Sequence, residues 1–121
     1  MSIKTLLQIS IPLYIVHAIE EYSTGILKLD PLFRWVESSH LPTVILYMVE
    51  QVLLVLLLFW AISKPKLWLL IFIGLIFLIE ILHIIPALKQ MSYYPGLVTA
   101  ILLLLLAYFY WKELILNFKN L

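Results

Sequence analysis

The chain has 121 residues, 64% of them hydrophobic and only 12% charged, with a net charge of +1 and no cysteine. Soluble domains are nearer half apolar and about a quarter charged, so this composition, with a mean hydropathy of +1.09, describes one integral membrane domain over residues 1–121. The small net charge excludes a basic surface for nucleic acid, and the missing cysteines exclude disulfides, thiolate ligands and a cysteine nucleophile.

The first apolar segment runs from about Thr5 to Tyr22, just long enough to span a bilayer as a helix. Ser23 and Gly25 would make a passable small-x-small cleavage pair, but the acidic Glu20 and Glu21 before them argue for a retained span. Pro12 predicts a kink, because it frees a carbonyl one turn earlier. The polar residues Ser10, Tyr14, His17 and Glu21 follow an i, i+4, i+7, i+11 pattern. That single stripe must face protein rather than lipid. After it, Asp30-Pro31 reads as a helix start. Leu32, Phe33, Trp35 and Val36 against Arg34 and Glu37 predict a short helix lying in the interface near Pro31–Glu37. His40 falls in the loop that follows and is read as solvated.

Three more spans are expected, over about 43–62, 67–86 and 95–111. Ser63-Lys64-Pro65-Lys66 is a tight turn, which makes the second and third spans an antiparallel hairpin. Pro95-Gly96 opens the fourth. The expected fold is therefore all-α: a four-helix transmembrane bundle, up-down-up-down, with the interfacial helix between helices 1 and 2. Lys4, Lys64, Lys66, Lys112 and Lys119 fall on one side of such a bundle, against Lys28, Arg34 and Lys89 on the other. The positive-inside rule then puts both termini in the cytoplasm. Trp60, Trp68 and Trp111 fall at the same ends of their spans, as interfacial tryptophans do. Gly74 reads as the point of a close helix contact.

Helix direction brings the intramembrane ionisable residues to one depth. His17, Glu20 and Glu21 lie near the exit of the first span and Glu80 and His83 near the exit of the third. Glu50 and Thr99 lie near the entrances of the second and fourth. One acidic residue at a helix centre costs ~2.5–3.5 kcal/mol, so four, Glu20, Glu21, Glu50 and Glu80, require compensation on the order of 10 kcal/mol. No lysine or arginine shares the layer. Protons or bound cations must balance it. The spacing also suits metal, on a par with a pocket of protonated glutamates and histidines bonded to one another: Glu80-x-x-His83 is the pair that supplies ligands in di-iron and di-manganese bundles, and His17-x-x-Glu20 is its reverse. The expected ligands are His17, Glu20, Glu21, Glu50, Glu80 and His83, holding Fe, Mn or Zn as one or two ions. Tyr14, Tyr47 and Thr99 stand behind them, and Glu20 and Glu50 are the carboxylates placed to work on substrate.

The chain resembles the HXXEE family of small membrane proteins. His17-Ala18-Ile19-Glu20-Glu21 carries the resemblance, with Glu80 and His83 in the third span and Pro95-Gly96 and Thr99 opening the fourth. It implies an integral membrane protein with enzymatic activity and fixes no reaction.

Three functional classes stay open at this point. One is a membrane metalloenzyme, an oxidoreductase or hydrolase, acting on a hydrophobic or lipid-like substrate that enters from the bilayer. Another is a metal-free acid–base isomerase of lipids or isoprenoids, with a protonated glutamate as donor and a histidine as acceptor. The last is a non-enzyme: a proton- or cation-linked transporter built as a homodimer, or a lipid-binding module.

Overall fold

The structure, a computed structural model, describes residues 1–29, 34–35 and 42–118. Apart from Arg34 and Trp35, the expected interfacial helix near Pro31–Glu37 lies outside the described residues, as does His40.

Among the described residues every regular element is helical. Helix α1 spans Ile3–Thr24. It starts at Ser2, whose hydroxyl accepts the Thr5 N–H at 3.1 Å and so satisfies one of the free donors of the first turn. It stops at Gly25, where φ is +92° and the Gly25 N–H returns to the Glu21 carbonyl, as helix ends in a left-handed residue do. The helix runs through Pro12 as one element. A single turn, α2 (Ile26–Leu29), follows. Helix α3 is Thr43–Ser63, and Pro65 prevents its continuation.

The expected third span divides into α4 (Leu67–Ile79) and α5 (Ile81–Gln90). At the joint, the His83 N–H bonds the Glu80 carbonyl at 3.1 Å in a tighter i+3 turn. Helix α5 continues past Pro86 to Gln90. Proline's fixed φ suits a helix, so the chain loses one backbone bond there without ending the element. Helix α6, Leu97–Asn117, outlasts the expected span by six residues and opens on Gly96 in the left-handed region.

Three stretches are long and apolar enough to cross a membrane: Thr43–Ser63, Leu67–Gln90 and Leu97–Asn117. Helix α1 has the length, at 22 residues, but its polar stripe dilutes its hydropathy. That stripe is buried throughout: Ser10, Tyr14, His17 and Glu21 all point inward. Helix α1 packs on α6 and α3, and α6 also backs α4 and α5. The core holds Leu6, Leu7, Leu58, Leu70, Phe77 and Leu103. Outward positions such as Ile45, Leu53, Leu75 and Leu105 stay exposed and apolar.

Trp111 does more than anchor an interface. Its Nε1–H donates to the Gly74 carbonyl at 3.0 Å, and a Cβ at Gly74 would sit 2.7 Å from its ring. Gly74 is therefore the close contact that the sequence marks, and an indole fills it.

Candidate functional site

Near the C-terminal ends of α1 and α4, two imidazoles and two carboxylates form a closed ring. His17 Nε2 lies 3.1 Å from Glu80 Oε2 and 3.5 Å from Glu21 Oε1. His83 Nε2 lies 3.2 Å from Glu21 Oε1 and 3.7 Å from Glu80 Oε2. His17, Glu21 and Glu80 are buried, and His83 is nearly so. Local geometry explains half of the ring. His17 and Glu21 stand one helical turn apart, as do Glu80 and His83, so each pair shares a face.

The outer nitrogens fix the inner ones. His83 Nδ1 faces the Pro95 carbonyl at 2.8 Å, and a carbonyl only accepts, so Nδ1 carries the proton. His17 Nδ1 lies 2.6 Å from Thr99 Oγ1. The Thr99 hydroxyl donates its own proton to Glu20 Oε2 at 2.5 Å, which leaves its oxygen to accept from His17. In the neutral state both rings therefore present an Nε2 lone pair to the centre. This is how metal-ligating histidines are held by their second partners.

Between the two rings stands Gly96. Its φ is +79°, and a Cβ there would meet His17 Cε1 and Glu21 Cγ at 2.9 Å and His83 Nδ1 at 3.2 Å. No side chain fits between these groups.

Glu21 is held from behind: Tyr47 donates to its Oε2 at 2.8 Å, leaving Oε1 to the ring. Among the described residues Glu80 Oε2 is buried with no partner in hydrogen-bond geometry, although His17 Nε2 is 3.1 Å away. The oxygen is off the line that an N–H donor would need. The Tyr14 hydroxyl is likewise buried and faces the Glu80 carboxylate, with no acceptor in hydrogen-bond geometry among the described residues.

Glu20 belongs elsewhere. Adjacent helical residues point ~100° apart, and that turn sends Glu20 to the start of α6 while Glu21 enters the ring. Its Oε1 accepts from Tyr93 O–H at 2.5 Å and Val98 N–H at 3.1 Å. Its Oε2 accepts from Thr99 N–H at 2.9 Å and Thr99 O–H. A carboxylate capping free N–H groups complements the helix dipole. Partial burial and this carboxylate hold the Tyr93 phenol above its ordinary range, so it remains a donor. Glu50 is exposed on α3 and lines the rim of the same cleft. The sequence reading missed Tyr93 and the role of Pro95-Gly96; the only signal was a Pro-Gly pair placed directly before a span.

The donor atoms of His17, Glu80 and His83 all lie within 4.8 Å of one another, so this trio could hold a metal ion. Two histidines and a carboxylate, with room left over, suit Fe(II), Mn(II) or Zn(II).

An all-helical chain, largely apolar, with a buried His/Glu cluster fit for a cation is thus the class of protein defined by fold and site. Residues 8–111 match the family described as “protein of unknown function with HXXEE motif”, and the chain belongs to that HXXEE family. No curated protein and no solved structure matches it. In this chain the family motif is His17-Ala18-Ile19-Glu20-Glu21: two of its ionisable residues enter the ring and the third caps α6.

Proposed function

We propose that the protein is a membrane-embedded metalloenzyme with one divalent ion held by His17, His83 and Glu80. Glu21, turned toward the ring by Tyr47, is its base. The observation that carries this reading is Glu80 Oε2, a buried oxygen without a hydrogen bond that faces two imidazoles whose protons are committed on the far nitrogen. Lone pairs converging on an acceptor repel one another unless a proton or a metal ion lies between them. One divalent ion also balances the two ring carboxylates, which makes a single ion a better fit than two. Its chemistry is that of a Lewis acid, polarising an oxygen of a hydrophobic substrate.

The same reading has α1, α3, α4–α5 and α6 crossing the bilayer as four antiparallel helices. The amino terminus lies 3.8 Å from Glu113 Oε2 near the end of α6, which supports an even number of crossings. Lysine placement supports a cytoplasmic side for that end.

Elemental analysis tests the centre. Protein purified without added metal should contain about one Fe, Mn or Zn per chain. Glu80→Gln, which keeps size but loses charge, should lower that content at least ~10-fold, as even supporting residues of metal sites do. Glu21→Gln should retain the ion. Metal-free wild type whose melting is indifferent to chelator, with Glu80→Gln equally stable, would instead favour shared protons and the isomerase.

A further inference from the structure

The ring lies at one end of a cleft of about 620 Å³ between α1, α3 and α4–α5, within the range of small-ligand sites. Its other end is apolar, walled by Leu53, Leu54 and Leu57 of α3 and by Ile76 and Ile79 of α4. From Glu50 to Leu57 is seven residues, so this wall runs ~10 Å along α3 at helical rise. Helices α3 and α4 touch only sparsely, and Leu53 and Ile79 remain exposed. The cleft is therefore open sideways, toward whatever surrounds the bundle.

We infer that this cleft takes an uncharged, oxygen-headed lipid of one chain (a long-chain alcohol, aldehyde or ester), with its head at the ring and its chain between α3 and α4. This rests on the ring being the reactive end of the cleft. Two observations select the head group. Among the described residues no lysine or arginine lines the cleft, while Glu21, Glu50 and Glu80 do. With the ring carboxylates Glu21 and Glu80 balanced by the ion, Glu50 is the charge left, and a phosphate or carboxylate head would meet it in a poorly solvated place, which is costly. The second is Tyr14, a residue that lines the cleft and is 2% exposed; its hydroxyl faces the Glu80 carboxylate but, among the described residues, has no acceptor in hydrogen-bond geometry. A buried donor left unpaired is costly, and a hydroxyl or carbonyl oxygen satisfies it where an ammonium head, lacking a lone pair, does not.

The test uses the full-length protein in phosphatidylcholine nanodiscs, photolabelled with diazirine-bearing fatty alcohol, fatty acid or fatty amine of equal length. The alcohol should label peptides containing residues 53–57 and 76–79, saturably and in competition with unlabelled alcohol. It should exceed the acid by about tenfold or more, because like charges repel. Leu57→Trp and Ile79→Trp, which fill the wall, should each cut that labelling about fivefold by overpacking. Leu105→Trp, on the outward face of α6, should not. Acid or amine labelling equal to that of the alcohol would overturn the inference. So would label spread evenly over outward helix faces, or no effect of either tryptophan in protein that still melts cooperatively. Metal content of the same samples keeps the two readings apart. Specific labelling of protein that holds no metal supports the lipid cleft and sinks the metal centre. Metal-loaded protein that shows no saturable label does the reverse.

Discussion

The two ends of the bundle treat polar groups in opposite ways. Around Leu70 and Leu103 the core is apolar, and its polar side chains are spent on helix carbonyls: Tyr110 O–H on Leu70 at 2.8 Å and Trp111 N–H on Gly74. Around His17 and Glu80 the polar groups face one another, acceptor against acceptor, and among the described residues two buried oxygens stay without a partner in hydrogen-bond geometry. The first arrangement joins helices where apolar driving force is weak, since lipid is as apolar as leucine. The second gives up satisfied bonds for a place where charge can be held. Stability and chemistry are thus separated along the same helices.

The sharpest way to break that separation is Gly96→Ala. A left-handed φ without glycine costs ~1–3 kcal/mol, and forced contacts at 2.9 Å on His17 and Glu21 add to it. The total should be on the order of 3 kcal/mol. Melting temperature and metal content should fall together, since strain and ligands share one point; an unchanged metal stoichiometry would sever them.

Leu70→Ala strikes the other end. Soluble cores lose about 2–5 kcal/mol for such a change. Within a bilayer the transfer from water is absent, which favours the low end, about 2 kcal/mol. Metal per folded chain should not change, and a proportionate loss would show that the two ends are one unit.

Thr99→Val sharpens the comparison from the site's side. It removes the partner of His17 Nδ1, and metal affinity should weaken by ~10–100-fold, read by competition with a chromogenic chelator. Thr99→Ser should restore it, because the hydroxyl and not the methyl is at work.

Smallest of all, Tyr110→Phe deletes one hydrogen bond between α6 and α4, for about 1 kcal/mol. Its effect should appear in melting alone.

How much of this was legible depends on distance along the chain. The inward stripe of α1 and the Glu80-x-x-His83 pair are local periodicities, and both appear where helical spacing puts them. Counting depth from the span ends brought Thr99 to the level of His17, a contact between residues 82 positions apart. The parting of Glu20 from Glu21 was not legible, because only the position of the α6 N-terminus decides which carboxylate caps and which turns inward. Trp111 looked interfacial for a similar reason. Its neighbour Gly74 becomes its partner only through the packing of α4 on α6. The wall formed by Pro95 and Gly96 is likewise a product of docking, since nothing in a Pro-Gly pair says which side chains will be pressed against it.

One consequence follows from where the imidazoles are fastened. His17 and His83 come from different helices, yet their Nδ1 atoms are tied to Thr99 and Pro95, four residues apart, and Glu20 and Tyr93 clamp the same stretch. The two rings are therefore hung from a single hinge pin. Residues 93–99 set the direction in which both Nε2 atoms point. The orientation of both imidazoles thus depends on one short connection between α5 and α6, whereas Glu21 is held by Tyr47 of α3.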